Sequence, residues 1–250
     1  MPYLFYIFFG LAPSVVWLLF YLRRDSHPES NWMILKIFFY GMLAALPAVF
    51  IEFGLKPSSG TLVLGGLANS MGLTVILNQL SYLLYIFLGV AFVEEILKYL
   101  VVQGKVLNNS ELDEPLDVAL YMIIAALGFA ASENILLFIN LGKASSFPET
   151  FTMGVLSVYR FATATFLHAL SSGVVGYFLA LSFFEAKNRF KLVATGLATA
   201  TVLHGLYNFS IMTLREEVRL IIPIIVLIGL AIFLARGFKK LKKLKSICKT

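Results

Sequence analysis

The residues of this chain that could do chemistry are the ones that interrupt its apolar runs. Glu94, Glu95 and Lys98 break FVEEILKYL, Glu133 and Asn134 break GFAASENILLF, Arg160, His168 and Ser172 fall in YRFATATFLHALSSG, and His204 and Asn208 in LHGLYNF. A charged side chain at the centre of a membrane span costs about 2.5–3.5 kcal/mol on insertion scales, so each of these implies a function or a buried partner. Residues four apart share a helix face, which pairs Glu94 with Lys98, His168 with Ser172 and His204 with Asn208. Taken singly, each pair can be a structural polar contact. As a set of carboxylates and two imidazoles at one depth, they read as a hydrolytic site.

The chemistry open to that set is narrow. No Ser-His-Asp order, catalytic Cys or HExxH motif is evident, because Lys98 stands where a second His would be needed. Lys98 beside one carboxylate more than the other lets Glu94 and Glu95 hold different protonation states, so one activates water and protons return to a leaving amine. His204 and Asn208 are spaced to donate to a developing oxyanion. The same groups could instead hold zinc, with His168, His204 and either Glu94 or Glu133 as ligands and one position open to water. Absence of a compact metal motif tilts the reading slightly toward no metal, so the cofactor is none or zinc.

The elements that must carry these residues are membrane helices. Of 250 residues, 59% are hydrophobic and only 14% charged, and the mean hydropathy is +0.86. About 20 apolar residues cross a bilayer as helix, and backbone groups must be satisfied within each segment. The pattern predicts an all-α polytopic bundle of seven to eight spans, with helices over 2–22, 33–53, 81–103, 118–141, 154–184, 192–213 and 219–237. The stretch 61–80 is apolar but carries Gly65, Gly66, Asn69, Gly72, Asn78 and Gln79, and is left open, with a non-spanning element favoured. Counting residues from the loops places Glu94, Glu133, His168 and His204 in the middle of their spans, on four helices.

A net charge of +6 does not imply nucleic acid, because the basic residues flank apolar runs. Arg23, Arg24, Lys105, Lys187, Arg189, Lys191 and the tail from Lys239 to Lys249 fall on one side in the seven-span arrangement, which predicts an outer N-terminus and a cytoplasmic C-terminus. The tail, 238–250, has the composition of a segment drawn to anionic lipid. Cys248 has no intrachain partner, since it is the only cysteine. The whole chain reads as one membrane-embedded domain, 1–250, with a catalytic core at about 81–214.

In order along the chain, EExxK (Glu94, Glu95, Lys98), GFxxxEN (Gly128, Phe129, Glu133, Asn134), Arg160 with HAxxSGxxGY (His168 to Tyr177) and HGxxN (His204 to Asn208) resemble the PrsW family. These are membrane-embedded proteases related to the CAAX prenyl endopeptidases and to bacteriocin-processing proteins. The resemblance runs over about residues 90–210 and implies an intramembrane peptidase of a prokaryotic plasma membrane. It further implies site-1 cleavage of a membrane-anchored anti-sigma factor, water activated by Glu94, and an oxyanion held by His204 and Asn208. One departure stands out: the CAAX endopeptidases carry FxxxH where this chain has Phe129 followed by Glu133, and His168 could supply that imidazole from another helix. Two other readings use the same residues. A non-catalytic scaffold would be expected to lack the carboxylates or imidazoles, all of which are present, and a proton-coupled transporter would show inverted repeats, which the sequence does not.

Overall fold

The computed structural model describes residues 2–23, 29–57, 71–107, 112, 114–142 and 147–244, and every regular element among them is a helix. Helices α1 (Pro2–Leu22) and α2 (Asn31–Leu55) match two expected spans. Ser30 starts α2 by accepting from the Met33 backbone N–H at 3.2 Å, an N-cap that satisfies one of the orphan donors of the first turn. Helix α3 (Met71–Leu84) runs through a π-helical stretch, Tyr85–Phe92, into α4 (Val93–Lys105). Residues 71–80 are therefore the start of α3 and no separate element, while 61–70 lie outside the described residues. Gly72, Asn78 and Gln79 do not break the helix, since in an apolar setting a helix satisfies its own backbone and unwinding does not.

Helix α5 (Pro115–Leu141) begins with a reciprocal cap, in which the Glu114 backbone N–H donates to Asp117 at 2.7 Å and Pro115 occupies the first turn. The expected single span at 154–184 is in fact two helices, α6 (Phe147–Ala162) and α7 (Ala164–Phe184), broken at Thr163. Thr163 leaves helical geometry (φ −121°, ψ −92°). The break frees the Phe161 carbonyl, which accepts from the Trp17 indole of α1 at 2.8 Å, and Trp17 stacks on Phe166 with centroids 4.2 Å apart. No Gly or Pro marks that point, so the sequence reads straight through it. A short 3-10 turn, Ala186–Asn188, leads to α8 (Arg189–Thr213), and the one-turn α9 (Glu216–Arg219) to α10 (Ile221–Leu241).

Among the described residues, six stretches are long and apolar enough to cross a membrane: Tyr3–Leu22, Asn31–Leu55, Ile76–Lys105, Pro115–Leu141, Pro148–Phe184 and Ile221–Leu241. The chain is thus a multi-pass membrane bundle, with the more polar α8 packed on α7 and on the π-helical stretch. Helix α5 is its axis and packs against α7, α2, α1 and α4. It is apolar all round and buried without interruption from Pro115 to Ala131, as expected of a helix with neighbours on every side. Small residues let those neighbours approach: a Cβ on Gly128 would lie 2.0 Å from the Phe38 carbonyl oxygen, and one on Gly41 would lie 2.1 Å from that of Ala125.

Candidate active site

The polar residues expected from four separate helices meet in one cluster, together with the end of α6. Glu94, Glu95 and Lys98 occupy the first turns of α4, immediately after the π-helical stretch. In a regular α-helix, positions nine apart lie on opposite faces. The wider π turns bring Tyr85, Val90 and Glu94 onto one cavity despite that spacing.

Glu95 is the hub. It accepts from Lys98 Nζ at 3.0 Å, Ser171 Oγ at 2.9 Å, Ser172 Oγ at 2.7 Å and His204 Nδ1 at 2.9 Å. Three of these donors converge on Oε1 and Ser172 alone on Oε2, so Glu95 is engaged at both oxygens and holds the site together. Because Nδ1 of His204 donates to Glu95, its Nε2 carries the lone pair, and that atom lies 3.8 Å from Glu94 Oε2. Gly205 beside it leaves room for the Phe87 ring.

Lys98 is fully buried and also donates to Glu94 Oε2 at 3.2 Å. Its Nζ lies 2.8 Å from His168 Nδ1 and 4.5 Å from the centroid of the Phe129 ring. An ammonium only donates, so His168 Nδ1 accepts and Nε2 carries the proton, which it gives to Glu133 Oε2 at 2.8 Å. Arg160, at the end of α6, donates to Asn134 Oδ1 and to Glu133 Oε2 at 3.4 Å. Asn134 donates in turn to Thr165 Oγ1 at 3.1 Å and to the Gly10 carbonyl at 3.4 Å, tying α5 to α7 and α1.

One arrangement fits a metal ion. Glu94, His168 and His204 each offer a ligand atom, these atoms lie within 4.8 Å of one another, and all three residues are buried. Each imidazole has a carboxylate on one of its nitrogens, Glu95 for His204 and Glu133 for His168, the backing that metal-ligating histidines ordinarily have. His168 would have to release Lys98 to coordinate through Nδ1, or Glu133 to coordinate through Nε2. Lack of a compact motif in the sequence follows from this geometry, because the three groups come from α4, α7 and α8.

A cavity of about 290 Å³ reaches the cluster, lined by Glu94, Glu133, Arg160, His168, His204 and Asn208 together with Tyr85, Tyr159, Ile211 and Met212. Asn208 borders it without a hydrogen-bond partner among the described residues. Every candidate from the sequence is thus either in the cluster or on its cavity. Three contributors were not legible: Ser171, Thr165 and Glu52. Ser171 and Thr165 are small hydroxyl residues of an apolar helix whose partners come from other elements. Glu52 stands three residues from the end of α2, where residue counting reads a carboxylate as the border of a span.

A family model described as PrsW family intramembrane metalloprotease matches residues 29–235. Protease PrsW of Bacillus subtilis is 29% identical over 240 residues, covering 95% of this chain and 94% of that protein. Protease PrsW of Oceanobacillus iheyensis is 26% identical over 222 residues, 88% of each chain. That of Geobacillus kaustophilus is 28% identical over 204 residues, 81% of this chain and 78% of the other. No solved structure matches.

Proposed function

This chain belongs to the PrsW family of intramembrane proteases, and from that premise we propose that it is a metal-dependent endopeptidase whose ion is held by Glu94, His168 and His204. The observation that carries the reading is the convergence of those three buried groups within 4.8 Å, with Glu95 and Glu133 backing the two imidazoles. Zinc is the ion best matched to two histidines and a carboxylate with a position open to water. When bound, it supplies Lewis acidity toward water and the peptide carbonyl.

The chain's own residues do the rest. Glu133, on the cavity and braced by Arg160 and His168, takes a proton from the attacking water and returns it to the leaving amine, as the C–O bond forms and the C–N bond breaks. Asn208 has its amide uncommitted on the cavity and donates to the developing oxyanion. His204, with its proton on Nδ1, serves better as ligand than as donor. Lys98 and Glu95 fix α4 against α7 and α8 and keep Glu94 in place. A second reading, in which Glu94 itself activates water without an ion, draws support from Lys98, whose ammonium already bridges Glu94 and His168.

The substrate is a membrane-anchored protein, and by the resemblance of the motifs an anti-sigma factor cut at site 1. The cavity runs from Glu94 toward the last turns of α2 and α8, at Glu52, Ile211 and Met212. Helix α10 leaves that end and carries Lys239, Lys240, Lys242 and Lys243 to the opposite one. With the basic end cytoplasmic and the N-terminus outside, the bond is cut toward the outer face of the cell membrane.

Cleavage of a membrane-anchored substrate in liposomes tests this reading. Glu94→Gln and His204→Ala each abolish cleavage, and the purified wild type carries about one zinc per chain that His204→Ala loses. Chelation stops the wild type and zinc restores it. Full activity in a metal-free preparation supports Glu94 as base instead, and undiminished cleavage in both variants removes the site assignment.

A further inference from the structure

Glu52 is the one carboxylate of the cavity that the chemistry above leaves unused. It lies half-buried on α2, inside a membrane-spanning stretch, and borders the same cavity as Glu94 and Glu133. Among the described residues it has no ion pair and no hydrogen bond. Both cations of the cluster are committed elsewhere: Lys98 to Glu94, Glu95 and His168, and Arg160 to Glu133 and Asn134. Lys56, four positions on, stands where the chain has left the helix (φ −61°, ψ 123°) and makes no ion pair with it. A carboxylate at membrane depth is ordinarily paired or faces a polar pathway, because leaving it alone is costly. The cavity that Glu52 borders is also lined by aromatic rings, Tyr85 and Tyr159, and by apolar side chains, a lining that suits the stem and head of a basic residue.

We infer that Glu52 is a substrate-selecting subsite, which receives a Lys or Arg side chain of the substrate close to the bond that is cut. The inference rests on the peptidase reading and adds the chemical class that the mouth of the site prefers. An entering cation gives Glu52 the counter-ion that no described residue supplies, and the same contact sets the register of the substrate relative to Glu94.

The test uses the full chain in liposomes with a panel of single-span substrate proteins, cut positions being read by mass spectrometry. In the wild type, replacing the basic residue nearest the cut by Gln lowers kcat/KM about tenfold, the effect of losing one well-placed ion pair at about 1.4 kcal/mol. In Glu52→Gln the two substrates are cut equally, and in Glu52→Lys the preference passes to a substrate with Glu at that position. Thermal melting of both variants shows whether they fold, and the Gln variant decides the matter if the Lys variant does not. A wild type that ignores the charge, or a Glu52→Gln enzyme that keeps the preference, overturns the subsite while leaving the peptidase reading intact. So does an equal fall on every substrate, which assigns Glu52 to proton transfer. A wild type that cuts no panel member, with or without added zinc, removes both.

Discussion

The inner and outer halves of the polar cluster use the same residue types in opposite ways. In the inner half, Glu94, Glu95 and Lys98 are 2%, 0% and 0% exposed, and Glu95 accepts from four donors on three helices. In the outer half, the side chains of Glu133 and Arg160 are 33% and 18% exposed, and among the described residues Glu52 is unpaired and Asn208 keeps its amide free. Buried charges are tolerated only when every partner is present, and removing one leaves the others uncompensated. Polar groups on a cavity can be left partly unmatched, because a substrate completes them. Glu95 and Lys98 therefore read as scaffold for the site, Glu94 as the ligand they hold, and the outer half as its working surface.

Substitutions can break or sharpen that contrast. The largest effect is expected for Glu95→Ala, which strips four donors of their acceptor. It should cost about 3–5 kcal/mol of stability, seen as loss of folded yield and an early transition in denaturant unfolding in detergent. If Glu95→Ala folds like wild type and loses only cleavage, the inner half is not scaffold. Next comes the double change Ser171→Ala with Ser172→Ala, which removes two hydrogen bonds to a charged acceptor at about 1.5–3 kcal/mol each. Unfolding should register it, and cleavage should fall in proportion to the folded fraction. Smallest in stability is Arg160→Gln: the unfolding transition moves little, while cleavage falls about 10- to 100-fold, the usual range for loss of a group that orients a ligand-backing carboxylate. An Arg160 variant that unfolds early would erase the distinction between the two halves.

How much of this was legible follows from where each signal resides. Glu94 with Lys98, His168 with Ser172 and His204 with Asn208 are contacts or faces within one helix, and helical spacing alone exposes them. Their meeting place is a matter of depth, which residue counting recovers for spans with clear ends. What spacing cannot give is a partnership across helices. Ser171 is one position from Ser172 and looks like ordinary helix content until Glu95 is opposite it. Glu52 escaped because counting from a loop marks it as a boundary residue. The break at Thr163 escaped because no Gly or Pro announces it, and the Phe161 carbonyl beside it is satisfied from α1, 144 positions away in sequence. The convergence of Lys98, Ser171, Ser172 and His204 on Glu95, which separates two adjacent glutamates into holder and ligand, is such a partnership across helices.

The π-helical stretch before Glu94 can be read as a phase device. Deleting one residue between Tyr85 and Phe92 should let that segment relax to regular α-helix, turning everything before it by about 100° relative to everything after. Either Glu94, Glu95 and Lys98 would stay locked by α7 and α8, and the aromatic wall of the cavity would rotate into lipid, or the wall would hold and the carboxylates would turn away. One residue of chain length thus separates a lined path to the cluster from a cluster with no path.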